Sequence, residues 1–256
     1  MGRPVALVTG ASSGIGTEFA RLLAERGHDL VLVARDKDRL EQLGKELEAA
    51  HGAQCEVLPA DLTDATQLAA VEQRVATVDV LINNAGFGTF GNFWELPLDT
   101  ELREIQLNVV ALVRLTHAAA AAMVPRGKGG ILNVSSIAGM APTPGDATYA
   151  ATKSFVTTFS QALHTELKGT GVAVTVLAPG FTRTEFQERS NYDTNRVPKM
   201  AWQEAPEVAR AGLDGLAKNK AYVVPGAMNK VLAAAVGVTP NGIVRVMSGK
   251  IASQNH

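Results

Sequence analysis

The chain has 256 residues, 46% of them hydrophobic and 19% charged. That is enough to bury one substantial core, and α/β folds of this length commonly form one domain, so residues 1–256 are expected to be a single unit. The formal net charge of -1 provides no broad attraction to phosphate backbones or anionic lipid and argues against nucleic-acid binding.

In chain order, short β-rich apolar runs alternate with longer stretches of helical period. The first run, 5–9, leads straight into a glycine turn, Thr9-Gly10-Ala11-Ser12-Ser13-Gly14-Ile15-Gly16, and leaves no room for a secretory leader; the expected location is the cytoplasm. A helix is expected over 14–26, with Phe19, Leu22 and Leu23 on its packed face and Gly27 as its stop. Strand 29–34 and helix 36–50 follow, then strand 54–58, which contains the lone cysteine, Cys55. One cysteine cannot close an intrachain disulfide, and a thiol in such a run reads as packing.

Helix 65–75 begins at Asp64, which with Gln67 fits a variant of the capping box. Strand 80–83, helix 100–123, strand 130–134, helix 149–168 and strand 172–177 complete the alternation. Repeated strand-helix-strand units without hairpin signals predict a doubly wound parallel sheet with helices on both faces. Periodicity weakens over 181–205, a polar and aromatic stretch of the length of a lid or binding loop. The apolar run 231–238 is too short to span a bilayer, and no transmembrane segment is expected.

The glycine turn sits where a dinucleotide site needs it, between a strand and a helix. Gly10 can turn the chain, Gly14 lets backbone approach a pyrophosphate, and Gly16 permits close packing of helix on strand. The helix N-terminus offers unpaired N–H groups to the phosphates. The spacing Gly-x-x-x-Gly-x-Gly is one residue longer at its first interval than the common fingerprint.

Tyr149 and Lys153 lie one turn apart on one predicted helix face. An ammonium there would favour the tyrosinate and bring its pKa down from about 10 toward the working range, as acid catalysis on a carbonyl requires. Upstream, Ser136 ends a strand at the carboxyl edge where open parallel sheets bind ligands, and its hydroxyl can donate to a carbonyl oxygen. Taken alone, each is an ordinary residue: a helix-surface pair, and a turn or cap serine.

Together these residues resemble the short-chain dehydrogenase/reductase family. The motifs that carry the resemblance are Thr9-Gly10-x-x-x-Gly14-Ile15-Gly16, Asp61, Asn83-Asn84-Ala85-Gly86, Asn108, Ser136, Tyr149-x-x-x-Lys153 and Pro179-Gly180. The resemblance runs from residue 5 to about residue 184, and the longer glycine interval is the family's own pattern. It implies a Rossmann-type sheet of about seven strands and a catalytic tetrad of Asn108, Ser136, Tyr149 and Lys153. Tyr149 would be the acid/base, Lys153 would tune it and hold the nicotinamide ribose, Ser136 would orient the carbonyl, and Asn108 would support a relay water.

For the cofactor, the resemblance implies contacts from Gly10, Ser12, Ser13, Gly14, Ile15 and Gly16, from Asp61 and Leu62 beside the adenine, and from Asn84, Ala85 and Gly86. Pro179, Gly180, Thr182 and Thr184 would lie by the nicotinamide; Thr182 departs from the aliphatic residue frequent there. An NAD site often ends the second strand in an acid, whereas here Ala34 is followed by Arg35, whose guanidinium suits a 2′-phosphate. NADP(H) is therefore the expected cofactor, and a small-molecule carbonyl or alcohol the expected partner.

The five histidines show no ligand spacing, and no metal is required. Aromatic and thioether side chains at Phe87, Phe90, Phe93, Trp94, Phe186, Tyr192, Met200 and Trp202 suggest a medium or bulky lipophilic substrate. The helices 100–123 and 149–168 resemble those that pair subunits in the family, which implies a homodimer or homotetramer. Two other classes of function are open to this sequence. One is an NADP-sensing regulator of the same fold; the other is a peripheral membrane or partner-binding module built on 227–251, where Lys230, Arg245 and Lys250 flank apolar stretches, although such a segment more often forms a core helix with a dimer or pocket edge.

Overall fold

Val5–Thr9 (β1) alternates its side chains between two packed layers: Ala6 and Val8 enter one core cluster, Leu7 the other. The computed structural model describes residues 2–190 and 197–238. In it β1 is joined by β2 (Asp29–Ala34), β3 (Cys55–Pro59), β4 (Val80–Asn83), β5 (Gly129–Val134) and β6 (Val172–Leu177). Two short strands, β7 (Thr182–Arg183) and β8 (Gln203–Glu204), pair separately, and β9 (Tyr222–Val223) closes the main sheet. The order is β3-β2-β1-β4-β5-β6-β9, parallel throughout, a seven-stranded Rossmann-like sheet with helices on both faces.

One face packs against α1 (Gly14–Glu25), α2 (Lys37–His51) and a helix near the C-terminal end of the described chain through Phe19, Leu40, Leu43, Leu47, Val208 and Leu213. Phe19, Leu22 and Leu23 are buried, as the helical spacing requires. The other face packs against α3 (Ala65–Val75) through Leu68, Val71 and Val75 and against a long helix through Leu115, Ala119 and Met123. That long helix begins before the predicted residue 100 and has three parts: α4 (Leu98–Ile105), a π-helical stretch Gln106–Ala111, and α5 (Leu112–Arg126). By length and composition it could cross a membrane, yet it lies along β4 and β5, and its buried face carries Glu101, Glu104 and Asn108.

After β5 a 3-10 turn, Ile137–Met140, leads to α6 (Ala147–Glu166). Within 181–205 the described residues hold β7, β8, a four-residue helix α7 (Phe186–Arg189) and a 3-10 turn, Lys199–Ala201. Tyr192 lies outside the described residues. Beyond that stretch come α8 (Ala205–Ala217) and the strand β9, neither read from the sequence pattern, and α9 (Ala227–Val238), a helix within the segment 227–251. Arg245 and Lys250 lie outside the described residues.

Local chemistry explains the helix starts. Asp36 accepts from the backbone N–H of Arg39, and Asp64 from those of Thr66 and Gln67. The Gln67 side chain does not return to Asp64, as a capping box would have it, but accepts from the N–H of Asp61, three residues further back. Burial, with Asp29 and Glu48 nearby, pushes the Cys55 thiol up to about 11, which suits packing and not nucleophilic chemistry.

Candidate active site

The sheet changes direction of winding between β1 and β4, which are neighbours although two strands intervene in sequence. At such a switch point the carboxyl ends of the strands open a crevice for ligand. Thr9 ends β1 there; its hydroxyl donates to the carbonyl of Ile82 and accepts from the N–H groups of Asn84 and Ala85. The Asn84 amide donates to the Thr9 carbonyl, so the glycine turn and the Asn83–Gly86 segment are held as one piece. Asn83 itself points into the sheet centre, bonded to Thr116 and Asn133, and Asn133 in turn to Ser160.

Gly10 and Gly14 adopt φ of 68° and 57°, which favours glycine. A Cβ on Gly10 would fall 2.8 Å from the Asn84 amide nitrogen, and one on Gly14 2.9 Å from Cγ2 of Thr184. Ser13 caps α1 without a side-chain hydrogen bond, so the first N–H groups of α1 are not capped by its hydroxyl. A tight glycine cradle at an uncapped helix start fits a dinucleotide pyrophosphate. Ser12, Ser13 and Ile15 are half-buried along this turn.

At the end of β2, Ala34 gives way to an exposed Arg35. Arg35 acts electrostatically on Asp61, whose carboxylate accepts from the backbone and hydroxyl of Thr63. Partial burial opposes ionisation of Asp61, but these hydrogen bonds and the Arg35 and Arg103 charges hold its carboxyl below the usual range. Leu62 beside it is buried. Arg39, one turn into α2, reaches Glu185 at 2.8 and 3.0 Å and so links this corner to the segment after β7.

Ser136, Tyr149, Lys153 and Asn108 come together at the ends of β4 and β5. Ser136 caps the 3-10 turn, accepting from the N–H of Ala138 at 3.1 Å, and is hydrogen-bonded to Tyr149. Tyr149 stands in the first turn of α6. Lys153, one turn on, is buried, donates to the Val134 carbonyl at 3.0 Å and holds its Nζ 5.6 Å from the centre of the Tyr149 ring. The π-helical stretch turns Asn108 inward; its amide donates to the Phe87 carbonyl at 2.8 Å and to Thr152, and its carbonyl oxygen accepts from the Phe87 N–H. Gly86 is the point of convergence: a Cβ there would lie 2.9 Å from Oδ1 of Asn108 and 3.4 Å from Nζ of Lys153.

The electrostatics differ from the sequence expectation in one respect. In the protein without ligand, burial drives the Tyr149 hydroxyl well above its ordinary range, against the hydrogen bond from Ser136, and Asp146 and Glu104 add to the rise. The Lys153 ammonium beside it is itself lowered to about 8 by burial, with Glu104 opposing.

Pro179 and Gly180 follow β6. The Pro179 carbonyl accepts from Ile137, and the Gly180 N–H meets the side chain of Gln203 at 3.4 Å. Asn229 of α9 donates to that same Gln203 oxygen and presses on Gly180, so the C-terminal helix braces this loop. Thr182 is buried and donates to the Gly180 carbonyl, a turn bond that an aliphatic side chain would not make. Of the aromatic residues, Phe186 packs on Tyr149 with ring centres 5.5 Å apart, Trp202 packs on Phe181 and Arg183, and Phe93 and Trp94 are exposed.

Three groups at the site were not anticipated from the sequence: Asn229, Gly88 and the acidic pair Glu101 and Glu104. The acids carry a signal, since Glu101, Glu104 and Asn108 recur at intervals of three and four and therefore share one helix face.

The short chain dehydrogenase family matches residues 4–195. An uncharacterized oxidoreductase of Myxococcus xanthus is 35% identical over 238 residues, covering 89% of this chain and 92% of that protein. The sulfoacetaldehyde reductase of Chromohalobacter salexigens is 40% identical over 191 residues, 70% of this chain and 72% of its own length. Among solved structures, a short-chain dehydrogenase from Sphingobium yanoikuyae in complex with NADPH is 41% identical with a TM-score of 0.84, covering 92% of this chain and 94% of that one. A bulky-bulky ketone specific alcohol dehydrogenase from Comamonas testosteroni is 37% identical with a TM-score of 0.79, covering 93% and 94%. The chain belongs to the short-chain dehydrogenase/reductase family, and it is an oxidoreductase acting between CH–OH and carbonyl groups.

Proposed function

We propose that the protein reduces a ketone or aldehyde with NADPH, or runs the reverse oxidation, with Tyr149 as the proton donor. The observation that carries this reading is the convergence of Ser136, Tyr149, Lys153 and Asn108 around Gly86 beside the glycine cradle. When bound, NADPH delivers hydrogen with two electrons from its nicotinamide C4 to the carbonyl carbon. Ser136 donates to the carbonyl oxygen and holds it at the Tyr149 hydroxyl, which gives up its proton as negative charge develops on that oxygen. Lys153 would hold the nicotinamide ribose and stabilise the resulting tyrosinate by its charge, while Asn108 fixes the Phe87 backbone beside Gly86.

The 2′-phosphate is assigned to Arg35 and the glycine turn, with Ser12 in support, and the NADPH-bound Sphingobium relative supports the same cofactor. Phe186 against the Tyr149 ring supports a lipophilic substrate, as does the bulky-ketone specificity of the Comamonas relative. The stretch 181–205 is assigned as the substrate loop, because it runs from the Gly180 turn to Gln203 and carries Phe186. Action in the cytoplasm and assembly as a homodimer or homotetramer complete the proposal. The test is NADPH absorbance across a panel of carbonyls and alcohols; turnover of bulky aryl or alkyl ketones is the expected result, and activity confined to small polar sugars refutes the substrate class.

A further inference from the structure

Two carboxyl groups are buried behind the proposed catalytic pair, and nothing in the mechanism above uses them. Glu101 and Glu104 lie on α4, both buried. The Thr89 hydroxyl lies 2.5 Å from Oε1 of Glu101 and 3.2 Å from Oε2 of Glu104, and the Thr89 N–H also donates to Glu104 Oε2. The Thr148 hydroxyl donates to the other oxygen of Glu101. Oε1 of Glu104 is buried without a partner.

Counting hydrogens decides the charge state. Three donors, the Thr89 N–H and the hydroxyls of Thr89 and Thr148, serve four carboxyl oxygens. Thr89 has one hydroxyl hydrogen for two carboxyl groups. Two full negative charges bridged by one hydroxyl in a buried site repel each other, and a buried ionised oxygen without a donor is costly. One added proton on Glu104 removes both penalties.

The pair also touches the segments that carry the chemistry. Thr148 precedes Tyr149 on α6, and Thr89 follows Gly88, which lies against the Tyr149 ring. The groups that face Glu104 are Glu101 on its own helix and Lys153 and Tyr149 on α6; Asp146, at the start of α6, acts on Tyr149 as well.

We propose that Glu101 and Glu104 share one proton through Thr89 and serve as a positioning pair that sets the charge of Lys153 and fixes the loop and helix start on either side of Tyr149. Burial, with Glu101 nearby, pushes the Glu104 carboxyl up to about 7, so the shared proton leaves within the working range. Once Glu104 ionises, its charge favours the Lys153 ammonium and disfavours the tyrosinate, which links both groups to external pH. The link to catalysis rests on the reading of Tyr149 and Lys153 given above.

The test needs neither substrate nor cofactor, so its outcome is separate from that reading. The full chain, labelled with carbon-13 at lysine Cε, is titrated by NMR, and the Lys153 signal is identified by its loss in Lys153→Arg. Glu104→Gln is expected to lower the Lys153 midpoint from about 8 by roughly 0.5–1 pH unit, because it removes a nearby anion without removing the hydrogen-bonding shape. The infrared absorption of protonated carboxyl groups at pH 6 should lose the Glu104 contribution in the same variant, leaving that of Asp146. If Glu104→Gln does not fold, Glu101→Gln serves: removing the neighbouring charge is expected to shift the pH at which the Glu104 share of that absorption is lost. An unmoved Lys153 midpoint in the folded variant, or carboxyl absorption at pH 6 that is the same in variant and parent, overturns the proposal.

Discussion

Gly88 lies flat against the Tyr149 ring, so close that a Cβ built on it falls 2.7 Å from Cδ2 of the tyrosine. A methyl group there must displace the ring, and a displacement of about 1 Å at a reacting group costs roughly 100-fold in rate. Gly88→Ala is therefore expected to lower kcat about 100-fold while NADPH affinity, measured by fluorescence titration, stays near the parent value. An unchanged kcat would place the reacting hydroxyl elsewhere.

Tyr149→Phe keeps the ring packed against Phe186 and removes only the transferable proton. Turnover should fall by about 100- to 10,000-fold, the usual contribution of a positioned acid, with little change in cofactor binding. Turnover within about threefold of the parent would sink the assignment.

Arg35 is exposed at the end of β2 with no acidic side chain at Ala34 to repel a phosphate. Arg35→Ala is expected to cost about 1.5–3 kcal/mol of NADPH affinity, the scale of a hydrogen bond to a charged group, and to leave NADH affinity nearly unchanged. Calorimetric titration of both cofactors reads the difference; equal losses for the two would remove Arg35 from cofactor choice.

Asp146, at the start of α6, makes no capping bond, and burial pushes its carboxyl up to about 7. A folded-state pKa above the unfolded one means that the folded state holds the proton more tightly. Stability is then full below about pH 4 and is lost as pH rises through 7. Asp146→Asn should melt about 2–4 °C above the parent at pH 8, the effect of about 1 kcal/mol for a chain of this length, with the gap closing at pH 4. A constant gap across that range would mean that the titration of Asp146 does not govern stability.

Leu98, Leu102 and Ile105 of α4 and Phe155 of α6 are exposed, an apolar strip on the helices expected to pair subunits. Light scattering at micromolar concentration should give a dimer or tetramer. The double variant Leu102→Glu, Phe155→Glu should shift the mass toward the monomer, and a monomeric parent would refute the proposed assembly.

The strands were legible because each is a short apolar run buried on both faces, and β1 to β6 agree with the sequence pattern to within one residue at each end. The two-residue strand β9 carries no periodicity, whereas Ala205, Val208, Ala209, Gly212, Leu213 and Leu216 of α8 recur at intervals of three and four, a helical signal that the sequence does hold. The motif residues at Gly10, Gly14, Ser136, Tyr149 and Lys153 were legible because their chemistry depends on local spacing: a turn before a helix, a hydroxyl at a strand end, two side chains one helical turn apart.

Depth, proton count and neighbours across the sheet depend on the whole chain, and only the tertiary structure decided them. It packed Lys153 and Tyr149 together behind the ends of β4 and β5, and that loss of water lowered the lysine and raised the tyrosine. It closed Thr89, Thr148, Glu101 and Glu104 into one buried cluster from segments up to 59 positions apart in sequence. Spacing along a chain sets which side chains share a face; desolvation and charge depend on what is packed over that face, and that is settled only when the helices dock on the sheet.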